Sequence, residues 1–173
     1  MSYRINRIKS IQKERLIFNP NLHYIFDIII ETVLYTIWPV MTYLIIINPI
    51  NNVGLTGIII MIILNILLAF SWFYIYKLHR MKIINPQIDR KKFVEILQNE
   101  FKDMQINDDG LHILQSKKDI GLLSWGKSLT VIFTEKYIYI NLTTLGRFDV
   151  KSPIHSFTNY LKVKSIGKKL NGI

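Results

Sequence analysis

The long stretch without lysine or arginine at residues 16–76 constrains this sequence more than any other feature. All 22 basic residues of the chain lie outside this stretch. The surface of a water-soluble fold needs charge, whereas a charge at the centre of a bilayer costs roughly 3 kcal/mol or more. The stretch therefore predicts a part of the chain that lies in lipid.

Two apolar runs inside this stretch predict a membrane α-helical hairpin at 24–77, with transmembrane helices at about 25–47 and 55–76. About 20 helical residues cross a hydrocarbon core of roughly 30 Å. The connecting residues 48–54 are rich in Asn, Pro and Gly, which favour a turn. Residues 58–64 are hydrophobic all round, whereas a surface helix of a soluble protein shows a polar face.

The basic residues on both sides of the hairpin predict its orientation. Both flanks are basic and the connecting turn carries no charge, so the positive-inside rule places both termini in the cytoplasm. The Ile-, Asn- and Lys-rich composition suggests an AT-rich bacterial genome, and hence a bacterial inner membrane. We interpret the net charge of +10 as attraction to anionic headgroups and not to nucleic acid. The predicted headgroup contacts are Arg4, Arg7, Arg15, Lys77, Arg80 and Lys82.

Two segments flank the hairpin. Residues 1–23 form a basic cytoplasmic segment, either an interfacial helix with Ile5, Ile8 and Ile11 on one face or a partly ordered flank. Residues 78–173 predict a small α+β, mostly antiparallel β, cytosolic domain. A closing helix begins near Ser152 and Pro153 and stops at Gly167. The earlier elements of the domain are a helix at 87–101 and strands at 104–107, 111–115, 122–125, 129–134, 137–142 and 147–150.

The order of motifs in this domain resembles the YcxB-like membrane proteins of bacteria. The resemblance covers about 101–157 and rests on the Asp-Asp-Gly turn at 108–110, the Ser-Trp pair at 124–125, the Tyr-Ile-Tyr-Ile run at 137–140, and Pro153 followed by Phe157. Ile154 and His155 stand where the family usually has two basic residues, and the family's N-terminal strand is not obvious. The resemblance implies a pleckstrin-homology-like (PH-like) cytosolic fold and no settled activity.

The chain shows no catalytic, cofactor-binding or metal-binding constellation. Residues 121–128 match the phosphate-binding pattern G-x-x-x-x-G-K-[ST], but that loop needs a helix after it. The sequence after Ser128 is typical of a strand, so we interpret the match as chance. The chain has no Cys, and its four His lack ligand spacing. We therefore expect no enzyme activity, no metal and no cofactor.

Three polar residues inside the apolar block are candidate membrane-function residues. Asp27 and Glu31 are spaced i, i+4 and should share one helix face. At membrane depth they could relay protons or hold a cation. Alternatively, they could lie near the interface, where they would interact favourably with the positive end of the helix dipole and with nearby cations. Asn65 could hydrogen-bond to Thr36, to Tyr43 or to another copy of the chain.

These features leave two functional hypotheses. The first is a membrane-anchored PH-like module that binds a protein, a peptide or a lipid headgroup at the cytoplasmic surface. The alternative is an oligomeric transport or pore component, with the hairpin associating through Asn65 and with Asp27 and Glu31 at its inner mouth. The expected partners are a bilayer with anionic headgroups and either a protein or a second copy of the chain.

Overall fold

A pair of long apolar helices leads into a small α+β domain in the computed structural model, which describes residues 4–48, 54–83, 85–119, 121, 124–146 and 149–171. The helices are α2, Leu22–Ile47, and α3, Leu55–Ile75. Asn21 caps α2 by accepting a hydrogen bond from the Tyr24 backbone N–H at 2.7 Å. Both helices are long and apolar enough to cross a membrane. They confirm the predicted helix pair, with α2 starting three residues earlier than expected.

The surfaces of these helices are largely bare. The rest of the chain buries 12% of the most apolar window of α2 and 6% of that of α3. A core helix of a soluble protein would instead be mostly covered. Large side chains such as Phe26, Trp38, Ile60 and Phe70 are exposed.

The domain after α3 is built on one four-stranded antiparallel sheet in the order β1-β4-β3-β2. This sheet confirms the predicted antiparallel α+β organisation. A short helix, α1, precedes the helix pair. The remaining elements are α1 (Arg7–Gln12), β1 (His79–Lys82), α4 (Pro86–Glu100), β2 (Ile113–Lys118), β3 (Gly126–Phe133), β4 (Tyr137–Leu145) and α5 (Ser156–Asn171).

One face of the sheet packs against α4 and α5. Five side chains of this layer have no exposed surface, namely Phe93 and Leu97 of α4, Ile166 of α5, and Ile138 and Ile140 of β4. Each such side chain contributes about 1.5–3 kcal/mol through burial. This layer is the main core of the domain.

The N-terminal segment covers part of the other face. Ile5 and Leu16 are buried with Leu78, Ile132 and Tyr139 in a second, smaller cluster. Of the three isoleucines predicted to share one face of an interfacial helix, Ile8 and Ile11 lie in α1, whereas Ile5 precedes it. The segment instead folds back, with an isolated bridge between Ile5 and Phe18.

One predicted strand is not a strand in the structure, and the described residues of two others are not in strands. Residues 104–107 form an irregular connection, although Met104 and Ile106 are buried in the core. The alternation of apolar and polar residues at 104–107 therefore reflects which side chains are buried, and not a strand. In the range 122–125, Ser124 forms an isolated bridge with Gly121 and Trp125 is not in a strand, and 122–123 lie outside the described residues. In 147–150, Asp149 and Val150 are not in a strand, and 147–148 lie outside the described residues.

Other boundaries shift for reasons that depend on packing. β2 begins at Ile113 and continues to Lys118, into the predicted polar break at 116–119, because Ser116 is buried and the lysines that follow lie on an edge strand. β4 continues to Leu145. The helix α4 closely matches the predicted helix at 87–101, and α5 begins at Ser156 and passes through Gly167. Strand β1 was not predicted, because its alternating basic residues were assigned to the membrane flank.

Candidate functional site

The end of α3 is fixed by side chains from the middle of β4. The last carbonyls of a helix have no donor within the helix. The side-chain amide of Asn141 donates to the backbone carbonyls of Ile75 at 2.8 Å and of Lys77 at 2.9 Å. Thr143 in turn donates to the Asn141 amide oxygen at 2.8 Å. The sheet therefore holds the helix pair at a defined place on its surface.

A buried ion pair makes a second connection between the helices and the domain. The ammonium of Lys151 lies 2.9 Å from one carboxylate oxygen of Glu31, and the hydroxyl of Tyr76 donates to the other at 2.7 Å. Lys151 also donates to the Tyr76 hydroxyl at 2.8 Å. The side chains of Glu31 and Lys151 are 5% and 16% exposed. We call Glu31, Tyr76 and Lys151 the junction triad.

A third contact supports the triad from α2. The hydroxyl of Tyr35 donates to the backbone carbonyl of Lys151. The ring of Tyr35 packs edge-on against Trp72 of α3, with their centroids 4.3 Å apart. One turn of α2, the end of α3 and the loop after β4 therefore meet at one place, which binds the side chain and the backbone of Lys151.

A cavity of about 490 Å³ lies beside the triad, between α2, the N-terminal segment and the sheet. We call it the junction cavity. Leu16 and Phe18 of the N-terminal segment and Asp27 of α2 form one wall. The strand register places alternate residues of three neighbouring strands on the opposite wall. The wall residues from the sheet include Gln115, Lys117, Ser128, Thr130, Asn141 and Thr143.

The junction cavity carries charges of both signs in a polar lining. Lys117 pairs with Asp149 at 2.6 Å, with side chains 35% and 52% exposed, so this pair faces water more than the triad does. The cavity face of the sheet also buries the polar side chains of Thr130, Asn141 and Thr143. Polar groups buried against a purely apolar surface would lack hydrogen-bond partners, which costs free energy. The arrangement can bind a polar or charged group through Lys117 and through the hydroxyls of Ser128 and Thr130. Among the described ranges no group of three or more His, Asp or Glu side chains is placed to hold a metal ion.

Two predicted membrane-function residues meet at this site and the third does not. Asp27 and Glu31 both line the junction cavity, in keeping with their shared helix face. Asn65 lies farther along the helix pair, where its amide donates to the Thr42 hydroxyl at 3.1 Å and to the Met61 carbonyl at 2.8 Å. Within the described chain its partner across the helices is therefore Thr42, and not Thr36 or Tyr43.

The predicted headgroup residues separate into two groups. Arg15 and Lys77 lie at the foot of the helix pair, where they pair by an isolated bridge. The Arg15 guanidinium lies 5.5 Å from the centre of the Tyr76 ring, and the Lys77 ammonium lies 4.9 Å from that of Tyr74. These two cations are therefore held by aromatic rings next to the apolar helices.

The other predicted headgroup residues lie along the domain. The side chain of Arg80 pairs with Glu14 at 3.1 Å. Lys82 is exposed at the end of β1 and pairs with Tyr137 of β4. At about 3.3 Å per residue, it lies roughly 10 Å along the strand from His79, the first residue of β1 after the helix pair. Arg7 donates to the Phe133 carbonyl at 3.2 Å, and Arg4 is exposed.

Sequence reasoning missed the domain side of the site. Lys151 lies 120 residues from Glu31 along the chain, and nothing local marks it. Asn141 and Thr143 did carry a signal, because they are polar residues at alternate positions of a largely apolar strand.

Comparisons with known proteins identify no relative. No family model matches the chain, and searches of curated proteins and of solved structures find no match either. The fold and the junction site therefore provide the basis for the function proposed below.

Proposed function

We propose that this chain is a two-span protein of a bacterial inner membrane whose cytosolic domain is a non-catalytic binding module at the membrane surface. The junction cavity is the observation that carries this proposal. It combines buried polar groups with paired charges at the foot of the apolar helices. A module that served only as an anchor would gain more from an apolar contact there.

The bare surfaces of α2 and α3 support membrane insertion. Exposed apolar patches beyond a few hundred Å² are rare on soluble monomers and mark interaction or membrane surfaces. Insertion would give these side chains an apolar solvent, and the basic flanks would then place both termini in the cytoplasm. Arg15 and Lys77 would lie at the depth of the headgroups.

We propose an anionic lipid headgroup as the ligand of the junction cavity. With α2 and α3 in the bilayer, the foot of the helix pair lies at headgroup depth. Lys117 is the partly exposed cation of the cavity wall, and the hydroxyls of Ser128 and Thr130 beside it can donate to phosphate oxygens. A lipid would enter with its chains beside α2 and its headgroup against the sheet.

A relationship to the YcxB-like proteins and a PH-like fold also remain proposals. They are supported by the chain order of the helix pair, the antiparallel strands and the closing helix α5. The transport alternative has less support, because Glu31 turns towards Lys151 and Tyr76 of the domain. A monomer in mild detergent would speak against transport and leave the binding module unaffected.

The lipid proposal is tested by native mass spectrometry of the full chain released from membranes containing phosphatidylglycerol and phosphatidylcholine. We expect retained phosphatidylglycerol, and we expect Lys117→Gln to reduce that retention several-fold. Lys118→Gln is the matched control, because it removes the same charge from the next residue, whose side chain lies on the other face and pairs with Asp103. Absence of retained anionic lipid, or equal losses in both variants, would refute this ligand.

A further inference from the structure

A second cavity, of about 550 Å³, lies at the end of the sheet away from the helix pair. We call it the distal cavity. It opens between α1 and the turn that joins β3 to β4. Its wall combines basic side chains with aromatic surface, including Arg7, Arg90, His112, Lys136, Phe133 and Tyr137.

Arg7 is the residue that points to a ligand. Its Nε is buried and has no hydrogen-bond partner, while one terminal nitrogen donates to the Phe133 carbonyl at 3.2 Å. Among the described residues no carboxylate forms an ion pair with it. A guanidinium edge that is buried and unpaired costs free energy unless an acceptor is supplied to it.

The other charged residues of the distal cavity do not supply an acceptor to the Arg7 guanidinium. Arg90 is neutralised by Asp108, to which its Nε donates at 2.8 Å, and its guanidinium lies 4.3 Å from the centre of the Phe133 ring. Arg90 therefore lines the cavity in a fixed position, with its charge already paired. Lys136 adds an exposed cation on the turn, next to the exposed carboxylate of Glu135.

We propose that the distal cavity binds a small organic oxyanion, a phosphate or carboxylate group on an aromatic or aliphatic body. The planar guanidinium fork of Arg7 matches the paired oxygens of such a group. Lys136 and His112 can supply further donors. The apolar body of the ligand would lie against Tyr137 and Ile83. The site lies away from the bilayer, so its ligand would come from solution.

Calorimetric titration of the full chain in phosphatidylcholine nanodiscs tests this site with phenyl phosphate and benzoate as probes and phenol as the uncharged comparison. We expect saturable binding of at least one anion at one site per chain and none of phenol. Arg7→Gln should weaken that binding about tenfold, the effect of one charge-assisted hydrogen bond. Arg4→Gln is the matched control, because it removes the same charge from an exposed residue of the same segment.

A second pair of variants covers the case in which Arg7→Gln fails to fold. Lys136→Glu reverses a charge at the mouth of the cavity on an exposed turn, and Lys102→Glu makes the same change at an exposed residue outside the cavity wall. Binding weakened by Lys136→Glu and unchanged by Lys102→Glu supports the site. Failure of both anions to bind, or equal effects of the cavity and control variants, overturns the inference. The lipid proposal is probed through Lys117 and can fail separately.

Discussion

Replacing Lys151 by methionine removes the cation from the junction triad and keeps most of the side-chain volume. Among the described residues, the carboxylate of Glu31, with a side chain 5% exposed, would then keep only the Tyr76 hydroxyl as a side-chain hydrogen-bond partner. Breaking a buried ion pair on one side costs about 3–5 kcal/mol, since the remaining charge stays desolvated. The neighbouring cavity lets water approach, so we expect a loss of about 2–3 kcal/mol in the free energy of unfolding of the domain.

The assay is pulse proteolysis of the full chain in mild detergent across a urea series, which reports the folded fraction of the domain. The matched control is Lys117→Met, because Lys117 belongs to the more exposed ion pair of the same cavity. Exposed pairs contribute about 0–1 kcal/mol, so this control should change stability by less than about 1 kcal/mol.

A double-mutant cycle with Glu31→Gln isolates the pairwise interaction. We expect the double variant to lose less stability than the two single losses combined, since the second change removes the charge that the first left unpaired. Equal small losses for Lys151→Met and Lys117→Met, or full additivity in the cycle, would refute the triad as the connection between the helices and the domain.

Three further predictions concern the domain, each read from the same unfolding assay. Asn141→Leu removes both hydrogen bonds to the end of α3 and should lower the free energy of unfolding by about 1–3 kcal/mol, whereas an unchanged value would mean that the cap is not needed. Gly167→Ala should raise it by up to about 1 kcal/mol, because the added Cβ would lie 3.3 Å from the flexible end of Met81 and alanine favours a helix interior; a marked loss would show that Met81 cannot shift. Burial, with a smaller effect of a neighbouring cation, lowers the pKa of His79 from 6.5 to about 4, so the unfolded chain binds a proton first as the pH falls. The free energy of unfolding should therefore be highest above pH 6.5 and decline towards pH 4. His79→Gln should remove part of that decline, and a variant with the same pH profile as the unchanged protein would contradict this prediction.

Local sequence signals were enough for the helices and for much of the sheet. The apolar helices follow from composition alone, because each contains enough hydrophobic residues to cross a bilayer. The strand predicted at 129–134 is also confirmed, since it overlaps β3 from Leu129 to Phe133. Gly126, Lys127 and Ser128 themselves belong to β3, so the helix that a phosphate-binding loop needs does not follow them.

Features that depend on a distant partner were not predictable. Strand β1 carries basic residues at alternate positions, and only its pairing with β4 shows that Met81 faces the core. Gly167 looked like a helix stop, but in α5 its missing Cβ leaves room for Met81. The triad likewise joins two ends of the chain whose charges, taken separately, look like ordinary interfacial residues.

The membrane position of the helix pair is tested most directly by cysteine labelling, since the chain has no natural cysteine to interfere. Asn51→Cys, in the connection between the helices, should react with a membrane-impermeant maleimide in intact cells with a permeable outer envelope. Lys136→Cys, in the β3–β4 turn, should react only after the inner membrane is opened. Labelling of Lys136→Cys in unopened cells, or of Asn51→Cys only after opening, would contradict the account.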